Sequence, residues 1–333
     1  MAGAYAFCDE LKRIVTIDEA RREYLSCENP PDRFDFFCPD EGCCQSDGSR
    51  TRITGANYRK SATEQPQYKT PYFRDWDEHH TNCVWEQSRK QHQSTPLNET
   101  RVAKEKREAR QKITDFIEVF NPTAPQDTVK SDISTGVNNL SKDESPRKRS
   151  DSEKQNEFKE YLGKTTSTVL ERLVDTFIQI DHELGQNGLK AHELEVTGVG
   201  ILSYRDYFKP IKFANAQTTN RVLYGQAEFV RSYGTGFLFR FYQKIDRLPV
   251  TLYASPALVN AYRYRKYITD IVFELIEAKK ANKESRVTIY AIGQIEKQGN
   301  TLSLIVDDLR HFCIKLPTET DQTSPEALGV KLT

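Results

Sequence analysis

The sequence predicts a multidomain α+β protein in which a small cysteine- and histidine-bearing module precedes a strand-rich domain. Five of the seven cysteines lie within the first 50 residues, and segments typical of β-strands dominate the last 150 residues. Between the two regions, residues 121–155 contain three prolines, many small polar residues and no aromatic residue. Such a stretch cannot bury enough apolar surface to offset its ordering entropy, so it predicts a disordered linker.

Composition excludes several broad classes of function. Hydrophobic residues make up 37% of the 333 residues, and the 48 lysines and arginines balance the 48 aspartates and glutamates. Global charge therefore gives no argument for a nucleic-acid or membrane partner. No apolar run approaches the roughly 18–20 residues that span a bilayer, and residues 1–10 lack the pattern of a signal peptide. We expect a soluble, cytoplasmic protein without a membrane partner.

The C-terminal region predicts a regular order of strands and helices. Residues 156–185 have apolar residues at helical spacing, and 193–203 reads as a strand. Ser255 and Pro256 then begin a helix that carries Lys279 and Lys280 near its end. Three strands precede this helix and two follow it, at residues 221–230, 236–244, 249–253, 286–295 and 301–307. This order is typical of an OB-fold barrel, so we expect an OB-like β-rich domain.

The cysteines and histidines of the first region have the spacing of a metal site. Cys38 is followed by Cys43 and Cys44, and His79 and His80 by Cys83. Two turns that each supply two nitrogen or sulfur ligands suit the tetrahedral coordination of zinc. Either cysteine of the first pair and either histidine of the second fits the spacing. The preferred ligands of a structural zinc ion are Cys38, Cys43, His80 and Cys83.

These segments also resemble a known family. Residues 4–20, the run Phe37-Cys38-Pro39, the run Pro71-Tyr72-Phe73 and the closing histidine and Cys83 are similar to the N-terminal module of competence protein CoiA-like proteins. The first cysteine gap is longer here, Tyr72 stands where the family has a histidine, and residues 45–68 carry extra length. The resemblance covers about 90 residues and implies a zinc-ribbon-like fold and a role in DNA processing, uptake or phage defence. The family's nuclease-like second domain is not evident, so nuclease activity is not carried over.

One strand of the C-terminal domain carries a basic and aromatic face. Along residues 236–244, three phenylalanines at 237, 239 and 241 point to one face, and Leu238, Arg240, Tyr242 and Lys244 point to the other. Exposed aromatic rings beside cationic groups are what single-stranded nucleic acid stacks on. The same alternation is also typical of any half-buried strand with one wet face, or of a protein-binding barrel. The candidate nucleic-acid-binding residues are Arg231, Tyr233, Arg240, Tyr242 and Lys244.

Signals of catalysis are weak. The sequence has no Gly-rich phosphate loop, no Gly-x-Ser-x-Gly and no His-Glu-x-x-His. The pairs Glu157 with Lys159 and Glu277 with Lys279 have a spacing found in some nucleases, but both fall on predicted helices. We therefore expect a non-catalytic protein that binds single-stranded nucleic acid, most simply DNA, and contains structural zinc. A protein-interaction adaptor or complex subunit is the alternative, and a divergent metal-dependent nuclease is the second.

These interpretations divide the chain into six segments. They are a zinc-binding module, a helical connector, a disordered polar linker, a helix leading into the C-terminal domain, the OB-like domain and a flexible tail. Their predicted boundaries are 1–96, 97–120, 121–155, 156–185, 186–318 and 319–333.

Overall fold

The structure is a computed structural model that describes residues 5–43, 49–61, 71–75, 77–81, 83, 113, 116–123, 166–281 and 286–317. These residues form a mixed α+β protein with three sheets and few helices, which confirms the α+β part of the predicted fold class. None of the helices within them is long and apolar enough to cross a membrane. The predicted tail, all but three residues of the predicted linker and most of the predicted connector lie outside the described residues.

The first sheet belongs to the cysteine-bearing module and is antiparallel throughout, in the order β2-β1-β3-β4-β5. Helix α1 (Ile17–Ser26) begins in a capping box, in which the Thr16 hydroxyl accepts from the Glu19 amide and the Glu19 carboxylate accepts from the Thr16 amide. The strands are β1 (Tyr5–Cys8), β2 (Arg13–Thr16), β3 (Phe36–Phe37), β4 (Arg52–Ala56) and β5 (Tyr72–Asp75).

The second sheet includes two residues for which the sequence predicts a helical connector. Its order is β7-β6-β8-β9, with β6 (Val119–Phe120), β7 (Thr166–Ser167), β8 (Glu193–Val196) and β9 (Gly200–Ser203). The end of the predicted 97–120 helix is therefore a strand, which pairs in parallel with β7 and β8. Burial explains the difference, because Ile117 and Phe120 are fully buried against helix α2 (Leu170–Ala191) and do not form a solvated arm.

Helix α2 extends beyond its predicted end. Its helical geometry is interrupted at Gly185, where φ is 63°, and it resumes as far as Ala191. Gly185 thus breaks the helix as its residue type predicts, but the buried Leu189 holds a further helical turn against the core. The hairpin of β8 and β9 replaces the single strand predicted at 193–203.

The third and largest sheet has eight strands, seven of them in the order β15-β16-β13-β12-β11-β14-β17, with β10 (Phe208–Pro210) pairing in parallel with β11. The strand order ends at β15 on one side and at β17 on the other, so the sheet is not a closed barrel. The pair of β13 with β16 is also parallel, and the other pairs are antiparallel. The remaining strands are β11 (Val222–Tyr233), β12 (Gly236–Ile245), β13 (Leu248–Ala254), β14 (Arg286–Ile292), β15 (Gln294–Gln298), β16 (Thr301–Ile305) and β17 (Phe312–Lys315).

The helical segment between β13 and β14 consists of two helices and not the single helix that the sequence predicts. Helix α4 (Pro256–Ala261) has Ser255 as its N-cap, and α5 (Arg265–Lys280) follows after Tyr264. The short helix α3 (Tyr204–Tyr207) precedes β10. The apolar face of α5, which includes Ile268, Ile271, Val272 and Leu275, packs into the core of the large sheet.

The cysteine-bearing module packs directly on the C-terminal domain through α1. Arg21 and Arg22 of α1 are buried, and the acidic partner that they share is Glu171 of α2. Tyr267 of α5 donates a hydrogen bond to the same carboxylate at 2.7 Å, and Lys315 of β17 lies 3.5 Å from it. The two regions therefore share a buried network of charges.

Candidate metal centre and exposed tyrosine face

Four side chains of the first module converge on one point. The sulfurs of Cys38 and Cys83 are 3.6 Å apart, and Nδ1 of His79 lies 3.6 Å from the Cys43 sulfur and 3.4 Å from the Cys83 sulfur. All four ligand atoms lie within 4.8 Å of one another. A tetrahedral zinc site with metal–sulfur bonds of about 2.3 Å has ligand–ligand separations of about 3.5–3.8 Å. The measured contacts suit such an ion.

Two tight turns bring the ligands together. In the first turn, which follows β3, the amide of Cys43 donates to the carbonyl of Asp40 at 3.0 Å. In the second, the amide of Cys83 donates to the carbonyl of His80 at 2.8 Å, and the His80 amide donates to the Cys43 sulfur at 3.4 Å. These backbone hydrogen bonds position the four ligand side chains.

The structure selects one histidine of the two that the spacing allows. His79, and not the preferred His80, directs its ring nitrogen at the sulfurs. His80 contributes its backbone amide instead, which donates to the Cys43 sulfur. Cys38, Cys43 and Cys83 take the predicted places, and Cys44 lies outside the described residues.

The chemistry of the thiols fits a cation. The hydrogen bond with Cys83 and the burial of the site raise the pKa of Cys38, and burial raises the pKa of Cys43. Thiols in such a site stay protonated unless a metal ion displaces their protons. The six described cysteines form no disulfide, and Cys8 and Cys27 lie outside the cluster.

The second candidate site is the solvent-exposed side of β11, β12 and β13. All five residues predicted to bind nucleic acid lie on this side and are exposed. A β-bulge between Phe229 and Arg231 shifts the register so that Arg231 pairs with Leu238. The Lys279 ammonium of α5 donates hydrogen bonds to the carbonyls of Phe229 and Val230. It thus supplies donors for two carbonyl groups at a point where the bulge disrupts the ladder of hydrogen bonds between strands.

Aromatic rings on this side form two clusters that each include a guanidinium group. The Arg231 guanidinium lies 4.8 Å from the ring centre of Tyr233, which meets Tyr253 edge-on at 5.6 Å. The Arg286 guanidinium lies 5.2 Å from the ring centre of Tyr242. Tyr253 and Arg286 were missed by the sequence reasoning, because cross-strand pairing brings them to this face from β13 and β14.

Among the five predicted residues, Arg240 has an acidic partner within the described part of the chain. Glu228, its cross-strand neighbour, accepts from Nε of Arg240 at 2.7 Å and also pairs with Nη2. The pair lies between the two tyrosine clusters, so part of the charge of Arg240 is neutralised within the protein. The sequence pattern of β12 alone shows no sign of this carboxylate.

Of the two Glu-x-Lys pairs with nuclease-like spacing, the structure describes only Glu277 and Lys279, and these two side chains have other partners. Glu277 pairs with Lys280 at 2.7 Å, while Lys279 is engaged by the carbonyls at the bulge. Glu157 and Lys159 lie outside the described residues. A scan of protein-family models matched no family, and neither the curated proteins nor the solved structures contained a match to this chain.

Proposed function

We propose that this protein binds single-stranded nucleic acid on the exposed side of β11, β12 and β13, and that a structural zinc ion holds its N-terminal module together. The observation that carries the binding function is the exposure of three tyrosines on one sheet face: 37% for Tyr233, 47% for Tyr242 and 44% for Tyr253. Each ring that stacks on a base contributes about 1–3 kcal/mol.

The charges of this face support a strand with a phosphate backbone. Arg231 and Arg286 each lie beside a tyrosine ring, and Lys244 is exposed at the end of β12. A guanidinium beside a ring can contact phosphate while the ring stacks on a base. The Glu228–Arg240 pair separates the two clusters, so we expect two stacking subsites with a weakly charged gap between them.

The proposed zinc is structural because of the donor set. Three thiols and one imidazole complete a tetrahedral shell, which leaves no position for a reacting water. Three of the four donors are buried, and the short strands around them supply a small apolar core. This module is also the part of the chain that resembles the zinc-ribbon-like domain of CoiA-like proteins, which supports a role in DNA processing, uptake or defence.

We further propose that β11–β16 form an OB-like arrangement. In its support, β11, β12 and β13 form a meander, α4 and α5 follow the third strand, and β16 pairs in parallel with β13. Gly293 alone separates β14, which pairs with β11, from β15, which pairs with β16. A Cβ at Gly293 would lie 2.1 Å from the carbonyl oxygen of Ile305, as expected where the chain bends sharply and another backbone approaches closely.

The binding function is tested by fluorescence anisotropy with a labelled oligothymidylate at several salt concentrations. We expect saturable binding that weakens as salt rises, with a logarithmic slope of about −0.7 for each phosphate contacted. Binding that is absent at low salt would overturn the proposal, and so would affinity that is equal for single-stranded and duplex DNA. A protein captured in place of nucleic acid would favour the adaptor alternative.

A further inference from the structure

The molecule also has a cleft that shares no lining residue with the tyrosine face, which is the exposed side of β11–β13 with Tyr233, Tyr242 and Tyr253. The cleft has a volume of about 890 Å³ and lies between α2, α3, β10 and the loop of residues 211–221. Small-molecule pockets in proteins have volumes of about 300–1,000 Å³. The cleft is therefore large enough for a ligand of the size of a nucleotide.

The charge of the cleft is positive. Arg205, Lys209 and Arg221 line it, and Asp206 is the one carboxylate among the lining residues. Asp206 is already engaged, because its Oδ2 accepts from the Ser203 hydroxyl at 2.7 Å.

None of the three cations forms an ion pair with a carboxylate within the described part of the chain. Lys209 donates to the Thr218 hydroxyl at 3.4 Å and Arg221 to the carbonyl of Asn220 at 2.9 Å. Three cations that line one cleft without carboxylate partners among the described residues favour an anionic ligand, and phosphate is an anion whose geometry guanidinium groups match.

The rest of the lining suits a flat ring system. Phe213 is 61% exposed at the mouth of the cleft, and Tyr224 is half-buried in its wall. Asn215, Gln217 and Thr219 are exposed and add amide and hydroxyl groups that can hydrogen-bond a base edge or a sugar. The Lys212 ammonium lies 4.9 Å from the centre of the Phe213 ring and adds a further cation beside this exposed aromatic surface.

We propose that this cleft binds a nucleotide, with its phosphate held by Arg205, Lys209 and Arg221 and its base against Phe213. A free mononucleotide and the phosphorylated end of a nucleic-acid strand share this chemistry. The cleft is separate from the tyrosine face, so this proposal does not depend on the proposed function.

The test is isothermal titration of the full chain with AMP, adenosine and inorganic phosphate as separate probes. We expect AMP to bind at least about tenfold more tightly than either fragment, because both halves of the cleft then contribute. Arg205→Ala removes an exposed side chain that has no hydrogen-bond or ion-pair partner among the described residues, and it is expected to weaken AMP binding about tenfold. Lys297→Ala, which removes an exposed cation on β15 outside the cleft, is the matched control and leaves AMP binding unchanged.

Two outcomes would overturn the proposal: no saturable binding of AMP at millimolar concentration, or AMP affinity that Arg205→Ala and Lys297→Ala change equally. Competition between AMP and a 5′-phosphorylated oligothymidylate, with the 5′-hydroxyl form as comparison, then identifies the source of the ligand. Competition by the phosphorylated form alone assigns a strand end, and lack of competition assigns a free nucleotide. The variant Tyr242→Ala separates this site from the tyrosine face, because it should leave AMP binding intact.

Discussion

Arg22 of α1 donates a hydrogen bond to Glu171 of α2 across 3.1 Å, although 149 residues separate them in the chain. Both side chains are buried, and Arg21, Lys315 and Tyr267 surround the same carboxylate. Breaking a buried ion pair by removing one partner leaves an uncompensated charge in the interior. The contact between the cysteine-bearing module and the C-terminal domain therefore depends on this carboxylate.

Glu171→Gln keeps the size of the side chain and removes its charge. We expect the free energy of unfolding to fall by about 3–5 kcal/mol, because two arginines and a lysine lose their shared counter-ion. Urea denaturation at neutral pH measures this. Glu183→Gln, on the exposed side of the same helix, is the control and should change stability by less than about 0.5 kcal/mol. Equal effects of the two substitutions would show that the buried network contributes little.

Glu171 also makes the free energy of unfolding depend on pH in the acidic range. Burial alone would raise the pKa of Glu171, but the charges of Lys315, Arg22 and Arg21 outweigh it and hold the pKa below its ordinary value. The stabilisation is thus fully present above the unfolded pKa of about 4.3 and is lost as the pH falls through the folded pKa.

We expect Glu171→Gln to flatten the loss of stability below about pH 4, as measured by urea denaturation at a series of acidic pH values. The comparison between variant and parent isolates Glu171 from Asp175, whose pKa burial raises and whose contribution therefore has the opposite sign. A variant whose acid dependence matches that of the parent would contradict this prediction.

The metal centre predicts different outcomes for two adjacent histidines. Elemental analysis of the purified protein should find about one zinc per chain. His79→Ala should lose the metal to a chelator at a concentration that the parent protein withstands, because it removes one of four ligands. His80→Ala should retain the metal, since its contribution is a backbone amide. Loss of metal from His80→Ala alone would show that the other ring is the ligand.

Loss of a cysteine ligand should destabilise both the N-terminal module and the C-terminal domain. Cys83→Ser is expected to make residues 5–83 sensitive to protease, because metal binding and folding are coupled in small modules of this kind. We expect the melting temperature of the C-terminal domain to fall by several degrees as well, since α1 no longer covers Glu171. An unchanged C-terminal transition in calorimetry would show that the two regions are energetically independent.

The tyrosine face predicts a specific loss of binding. Tyr253→Ala and Tyr242→Ala should each weaken binding of oligothymidylate by about 1–3 kcal/mol, measured by fluorescence anisotropy. The control is Phe273→Ala on α5, which removes a ring that is also largely exposed but lies off this face. A loss of the same size in Phe273→Ala would count against a stacking site on β11–β13.

Several features of this protein were determined by local sequence. The alternation along 236–244 placed Phe237, Phe239 and Phe241 in the core, where the structure has them. Likewise, the spacing predicted that two short turns, one with Cys38 and Cys43 or Cys44 and one with Cys83, bring their thiols together, and Cys38, Cys43 and Cys83 do meet. These features depend on neighbours within a few residues.

Tertiary structure decided what depends on distant partners. Ile117 and Phe120 have an apolar spacing that suits a helix, yet pairing with β7 and β8 makes Val119–Phe120 a strand. His79 and His80 are equivalent by spacing, and only the position of the three sulfurs distinguishes them. Arg21 and Arg22 of α1 are buried because Glu171 reaches them from α2, and Asp18 of α1 is buried beside Arg172 of α2. A charge can leave water only where an opposite charge meets it, and the three-dimensional fold alone provides that partner.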